Sequence, residues 1–438
     1  MTVEISCNNK IPDLYRVDLP PSKSASHRAL ICAALAGGAS VEDLADKADT
    51  GRSCIAGLAD NDDIRATTAA LKAFCAAGVG GALRIDCGCS DRELRVDCGE
   101  SGTTLRFLLP LLAQSGRRCV FTGRGRLLDR PLEVYEKIYK EADAYWELQE
   151  NALIVQGGLK PGRFEIPGNI SSQFVSGLLF LLPTLDEDSE IVLTTPLQSA
   201  LYAMMTIDAL QRAGVEVQPD GSTIRVPGRQ KYKPFSCRIE GDWSSAANIA
   251  VLSALTGVPA ELKGADPQSH HPDRAVLEFI RMFKAGTCNT QTGAQALHAI
   301  HADLSSCPDL GPLLFAMATQ ADGTSVFTGV SRLRLKESDR IASMQQELAK
   351  LGFSMEVSGS YPDETVLVHG DPAAKQSHSD HPIALSGHGD HRIVMALSVL
   401  AAGTGRPVSI EGAEAVSKSW PGFFEALQSC GAAVTKHL

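Results

Sequence analysis

Long apolar runs that open on a polar residue and close near glycine recur along this chain. Six stand out: SKSASHRALICAALAGG, ESGTTLRFLLPLLAQSG, SSQFVSGLLFLLPTL, DWSSAANIAVLSALTG, CPDLGPLLFAMATQADG and GDHRIVMALSVLAAGTG. Taken at Ser24, Gly102, Ser171, Ser244, Asp309 and Asp390, their starts lie 65 to 81 residues apart, and one sixth of the 438-residue chain is 73. A period that long marks repeated supersecondary units. The runs carry no polar face, so as helices they must be buried on all sides. A second, amphipathic type follows, as in YAMMTIDALQRAGVEV, DRAVLEFIRMFKAG and ESDRIASMQQELAKLGFSMEV. Apolar residues at helical spacing, then glycine, then alternation predict helix, cap and strand. Each unit therefore reads as strand–helix–strand–helix–strand. Six of them with buried central helices predict α/β domains in which sheets wrap helices.

The length predicts two or more domains. Composition is that of a soluble globular protein, 44% hydrophobic with only 5% aromatic residues and 39 glycines. The net charge of −10 speaks against a generic polyanion binder, and no aromatic-rich basic patch suggests nucleic acid. MTVEISCNNKIP lacks the basic-then-apolar pattern of a signal peptide, and no uninterrupted apolar stretch is long enough to predict a membrane span. The 12 cysteines form no C-x-x-C pair, Cys87 and Cys89 being the close couple, so reduced, mostly buried thiols and a cytoplasmic location are expected.

LPPSKSASHRAL, Leu19 to Leu30, crowds three serines, Lys23, His27 and Arg28 at the mouth of the first apolar helix. A helix N-terminus attracts anions, and serine caps it well. The stretch is thus either a capped core helix whose cations reach outward along apolar surface, or one wall of an anion site. His378, His381, His388 and His391 fall within fourteen residues, and H-x-x-H can ligate zinc. No cysteine or third well-spaced ligand joins them, so no metal and no cofactor is expected. His391 is instead expected beside Arg392.

SKSASHRAL, ESGTTLRF, GRLLDRPLEV, SSQFVSGLL, GDWSSAA, RLKESDRI, GDHRIVMAL and SKSWPGFFE, in this order, resemble the enolpyruvyl transferase family, and within it the branch acting on shikimate 3-phosphate. The resemblance implies an inside-out α/β barrel fold: two domains, each of three β-α-β-α-β-β repeats. It divides the chain into a discontinuous domain, 1–20 plus 241–438, and an inserted domain, 21–240, that carries the shikimate 3-phosphate site. The implied reaction moves the enolpyruvyl group of phosphoenolpyruvate to the 5-hydroxyl of shikimate 3-phosphate and releases phosphate. Both substrates are polyanions, which an acidic monomer binds by concentrating its cations in one cleft.

By the same resemblance, Lys23 meets both substrates, while Ser24, Arg28, Ser171, Ser172, Gln173, Ser199, Tyr202, Asp309 and Lys336 hold shikimate 3-phosphate. Gly102, Arg126, Gln173, Arg340, Arg392 and Lys418 serve phosphoenolpyruvate, the last three cations completing a ring. Addition followed by elimination needs a proton given to the methylene carbon and one taken from the attacking hydroxyl. Asp309 and Glu337 are the two acids assigned to that traffic, with Asp309 as acceptor and Lys23 completing the catalytic set. By local physics alone Asp309 is also a helix N-cap, and Glu337 an i,i+3 partner of Arg340. Related enzymes that act on a UDP-sugar place asparagine after the lysine and a cysteine in the loop; here stand Lys23–Ser24 and a cysteine-free GRGRLLDRP. The chain departs from the family at Pro21, His27, Glu100, Phe107, Arg332 and Trp243, which touches affinity and glyphosate response rather than the proton-carrying residues.

Overall fold

The computed structural model describes residues 1–7, 11–37, 39–40, 53–76, 93–285, 296–373 and 381–437. Cys87, Cys89 and His378 lie outside the described residues. The chain divides into two compact units, one made of Met1–Pro20 with Gly241–Leu438 and the other of Pro21–Glu240. Each has its own apolar core. Among the described residues no helix is long and apolar enough to cross a membrane.

Within Pro21–Glu240 one plan is used three times. Its helices are α1 (Lys23–Leu35) and α2 (Asp62–Ala76), α3 (Gly102–Ala113) and α4 (Glu133–Glu141), then α5 (Ser172–Leu181) and α6 (Ala200–Arg212). The first of each pair is buried almost all round, as its unbroken apolar run requires. Strand Leu94–Asp97 runs parallel to Cys119–Thr122, which pairs antiparallel with Ala152–Gln156, itself antiparallel to Tyr145–Leu148. Arg163–Pro167, Ser189–Thr195, Thr223–Val226 and Gln218–Asp220 repeat that order. In this second sheet Ile191 is flanked by Phe164 and Ile224, all buried, while the next position sets Glu190 between Arg163 and Arg225. One face thus meets the helices and the other meets solvent.

The other unit contains α7 (Trp243–Thr256), α8 (Val276–Lys284), α9 (Gly311–Ala318), α10 (Arg340–Lys350), α11 (His391–Thr404) and α12 (Phe423–Ser429). Strand Ala321–Thr328 lies between parallel His301–Asp303 and antiparallel Thr365–Gly370, with Ser354–Ser358 beyond. Thr2–Cys7 inserts between Val408–Glu411 and Ala432–His437, antiparallel to both. That insertion draws the first residues into the C-terminal unit, since without it two strand edges would lose their partners.

Side-chain caps start five of the six central helices. Ser22, Ser101, Ser171, Asp242 and Asp390 each accept a backbone N–H from the first turn. Ser24 is therefore inside α1, not at its cap. The fifth apolar run differs from the sequence expectation. A 3-10 turn, Pro308–Leu310, contains Asp309, and α9 begins only at Gly311, without a side-chain cap. Asp309 is thereby freed from capping.

One contact locks α3 against α5. Pro110 lies inside α3 and has no N–H, so the carbonyl of Arg106, four residues earlier, lacks its helical donor. The Tyr135 hydroxyl takes that place, with its oxygen 2.8 Å from Arg106 O and 3.2 Å from Phe174 O. Gly177 sits directly beneath, where a Cβ would collide with both the Tyr135 hydroxyl and the Arg106 carbonyl. Tyr135→Phe should cost about 1–3 kcal/mol, because it leaves a buried carbonyl without a donor. In a Pro110→Ala background, which restores the helical N–H, the same change should cost less. Thermal and urea unfolding of the four proteins measures the difference, and equal costs in both backgrounds would rule this account out.

Candidate functional site

Each unit carries a cluster of the candidate residues at the N-terminal ends of its central helices. In the Met1–Pro20 and Gly241–Leu438 unit the cluster is built around Arg340, the first residue of α10. Its side chain is 2% exposed, so its charge must be met inside the protein. Three carboxylates do so: Asp309 Oδ1 at 2.8 Å, Glu337 Oε2 at 2.7 Å and Asp390 Oδ2 at 2.7 Å. Burial works against the charged form of Arg340, but these neighbours outweigh it and raise its pKa. Ser338 adds a hydroxyl to Asp390 at 3.1 Å.

Asp309 is the meeting point of three cations. Its Oδ1 also takes Lys336 Nζ at 3.0 Å, and its Oδ2 faces Arg392 Nη2 at 3.3 Å. Burial alone would raise its pKa, yet Arg392, Lys336 and Arg340 together hold it well below the usual carboxylate range. It is an ionised base at neutral pH. Burial pushes Lys336 down to about 8; Asp309 resists that shift, while Arg340 and Arg332 add to it. Arg392 is steadied from behind by Asp273 Oδ2 at 3.4 Å and Ser244 Oγ at 3.1 Å, and Ser244 itself donates to Asp273 at 2.5 Å. Lys418 donates to the Gly389 carbonyl at 2.7 Å.

Two cations of the expected ring carry counter-charges of their own. Arg340 and Arg392 are each engaged by carboxylates, because buried guanidinium groups need counter-charge. Glu337 does form the i,i+3 pair with Arg340 that local spacing allows. Of the described histidines, His388 Nε2 meets Glu347 Oε1 at 2.8 Å and His391 Nδ1 lies 3.8 Å from Asp390 Oδ1. Among the described residues no group of three or more His, Cys, Asp or Glu side chains is placed to hold a metal ion.

In Pro21–Glu240 the opening motif resolves differently from the outward-reaching account. Arg28 is 3% exposed and turned inward. It donates to Thr206 Oγ1 at 2.9 Å, Ser24 O at 2.7 Å and Tyr202 O at 2.8 Å, and lies over the rings of Phe107 and Tyr202. Burial lowers it to about 10. Lys23 Nζ meets Asp63 Oδ2 of α2 at 2.9 Å. Burial, then Lys23 and Arg28, drives His27 well below the ordinary histidine value, so it is neutral, with Nδ1 2.8 Å from Thr67 Oγ1.

Ser199 is buried and left-handed at the start of α6, three residues before Tyr202. That conformation is uncommon for serine and clusters at functional positions. At the α3 and α5 ends, Arg106 Nη1 donates to Gln173 Oε1 at 2.9 Å, and Gln173 Nε2 to Thr103 Oγ1 at 2.9 Å. Ser171 caps beside them, and Ser172 is buried. A Cβ on Gly102 would press on the guanidinium groups of Arg106 and Arg130. Arg126 stands apart, exposed in the turn after Cys119–Thr122.

Arg106, Asp390 and Ser244 sit inside motifs already noted for other residues: Arg106 lies one helical turn after Gly102, Asp390 two positions before Arg392, and Ser244 two positions after Asp242. Asp63, Thr206 and Asp273 carried no such signal. A lysine-selective carbon-13 NMR titration should show one lysine with a midpoint near pH 8, absent in Lys336→Met. An ordinary lysine titrates at about 10.4. If every lysine titrated near that ordinary value, the burial argument for Lys336 would fail.

The family model described as EPSP synthase (3-phosphoshikimate 1-carboxyvinyltransferase) matches residues 15–427. A 3-phosphoshikimate 1-carboxyvinyltransferase of Clostridium kluyveri is 36% identical over 430 residues, 95% of each chain. That of Brachyspira hyodysenteriae is 33% identical over 446 aligned positions, covering 99% of this chain and 100% of the relative. Among solved structures, an EPSP synthase from Acinetobacter baumannii superposes with a TM-score of 0.72 at 23% identity over 100% of both chains. The enolpyruvyl transferase NikO from Streptomyces tendae gives 0.68 at 15% identity, over 99% of this chain and 98% of its own. At those identities the structures speak for the fold.

Proposed function

The chain belongs to the EPSP synthase (3-phosphoshikimate 1-carboxyvinyltransferase) family, and from that premise we propose how its two clusters divide the work. The enzyme transfers the enolpyruvyl group of phosphoenolpyruvate to the 5-hydroxyl of shikimate 3-phosphate and releases phosphate. Lys23, Ser24, Arg28, Ser171, Ser172, Gln173, Ser199, Tyr202, Asp309 and Lys336 bind shikimate 3-phosphate. Gly102, Arg126, Gln173, Arg340, Arg392 and Lys418, with Lys23, bind phosphoenolpyruvate.

The observation that carries this reading is the Asp309 carboxylate, ionised and met by Lys336, Arg340 and Arg392. As the 5-hydroxyl oxygen bonds to the central carbon of phosphoenolpyruvate, Asp309 accepts its proton while the methylene carbon gains one. The methyl group of the resulting tetrahedral intermediate returns its added proton to Glu337 as the carbon–oxygen bond to phosphate breaks, and the departing phosphate takes up the proton held on Asp309. Glu337 is the second acid in this exchange, and Lys336, at about 8, can shift a proton near neutral pH. Fixed cations supply the charge balance that the leaving phosphate needs. A monomer in a reducing cytoplasm is the setting this reading favours. Cys32, Cys54, Cys98, Cys119, Cys237, Cys307 and Cys430 are free thiols, five of them buried, which is in keeping with a reducing setting.

Mixing the two substrates with the enzyme should release inorganic phosphate, and no release would end this reading. Asp309→Asn keeps the size of the side chain but cannot accept the proton. Turnover should fall roughly 100-fold or more, the scale of general acid–base assistance. Affinity for shikimate 3-phosphate, measured by calorimetry, should change less than about tenfold, or 1.4 kcal/mol. Near-normal turnover would remove Asp309 from the proton path.

A further inference from the structure

α10 presents two charged residues to the turn that precedes α11. Arg340 and Glu347 are seven positions apart, two helical turns on one face. Arg340 grips Asp390 through Nε at 2.7 Å and Nη2 at 3.3 Å. Glu347, with none of its surface exposed, grips the same turn further back. Its Oε2 accepts the Ser386 N–H at 2.9 Å, and its Oε1 faces His388 Nε2 at 2.8 Å. Lys350 Nζ closes the set at 2.8 and 3.0 Å. Burial penalises the Glu347 charge, but Lys350, the Ser386 amide and His388 overcome it and hold the pKa low.

The turn needs such a hold. His388 and Gly389 are both left-handed, at φ 49° and 64°. Glycine adopts that region freely, whereas a histidine does so at a cost, and surrounding contacts must maintain it. What the turn delivers is functional. The Gly389 carbonyl receives Lys418, Asp390 caps α11 and binds Arg340, and Arg392, two residues on in the first turn of α11, reaches Asp309. A slip at Ser386–His388 would displace all of these together.

We propose that Glu347 is a positioning residue, acting through Ser386 and His388 to set Arg392 and Lys418 for phosphoenolpyruvate. Glu347 is fully buried, so its effect is transmitted through the turn that it holds. The inference rests on the assignment of Arg392 and Lys418 to phosphoenolpyruvate given above.

The test uses the full chain and two variants, Glu347→Gln and His388→Asn; asparagine tolerates the left-handed region. Phosphate release is followed with each substrate varied in turn, alongside melting temperature and hydrogen exchange of the segment 383–392. Glu347→Gln should raise KM for phosphoenolpyruvate roughly tenfold, the factor for losing one well-made polar contact. KM for shikimate 3-phosphate should move less than about twofold, and exchange across 383–392 should quicken. His388→Asn should act in the same direction, and the double variant should fall short of the product of the two, since both remove one link. Wild-type kinetics and exchange in a folded Glu347→Gln would overturn the proposal. So would equal rises in both KM values, which describe general loosening. If Glu347→Gln does not fold, His388→Asn, which leaves Lys350 and the Ser386 amide on Glu347, decides by the same criteria. A wild-type chain that releases no phosphate overturns the assignment of Arg392 and Lys418 and this inference with it. A wild-type chain that does, beside unmoved variants, overturns this inference alone.

Discussion

A guanidinium group taken out of water must be surrounded by acceptors, and Arg340 meets that demand with three carboxylates drawn from three places in the chain. Asp309 comes from the 3-10 turn ahead of α9, Glu337 from the segment leading into α10, and Asp390 from the cap of α11. Separating any one of them would strand a buried charge, at a cost of several kcal/mol. The array therefore fixes where the N-terminal ends of α9, α10 and α11 stand relative to one another. With Arg392 and Lys336, whose influence is larger, Arg340 also holds Asp309 ionised, on which the proposed proton transfer depends.

The Pro21–Glu240 unit solves the same problem with neutral acceptors. Arg28 is satisfied by a threonine hydroxyl and two carbonyls, and Arg106 by Gln173, the Pro131 carbonyl and the ring of Phe174. Guanidinium groups met by neutral partners keep a net positive field, which suits a polyanionic substrate. The other unit balances its cations with carboxylates, which suits groups that must exchange protons. Two electrostatic settings are thus built on one repeated plan, neutral acceptors around Arg28 and Arg106 and carboxylates around Arg340.

That plan ties structure to activity through backbone accounting. Pro110 removes a helical donor, Tyr135 replaces it, and Gly177 leaves room for the replacement. The same contact seats Arg106, whose side chain holds Gln173. Likewise the insertion of Thr2–Cys7 completes a sheet that includes Ile383–Ser386, whose last residue begins the turn carrying Asp390 and Arg392. Packing in the cores and geometry at the helix mouths are consequently one constraint rather than two.

The order of polar and apolar residues by itself determined the six buried helices and the repeat of about 73 residues, because burial on all sides is written in an unbroken apolar run. Of the starts read from it, Ser171 and Asp390 are caps, whereas Ser24, Gly102 and Ser244 fall one or two residues past theirs. The motifs likewise carried the family. The fifth run misled, since Pro308 and Gly311 favour a tight turn before the helix, so that Asp309 serves cations instead of a cap. What only the tertiary structure decided is which partner each buried charge meets. Arg28 finds Thr206 across 178 residues, Arg392 finds Asp273 across 119, Lys23 finds Asp63 across 40, and Glu347 finds His388 across 41. Helical spacing in a sequence ranks neighbours three and four positions away. The energy of an ion pair depends on distance and desolvation in space, and those exist only once the sheets have wrapped their helices.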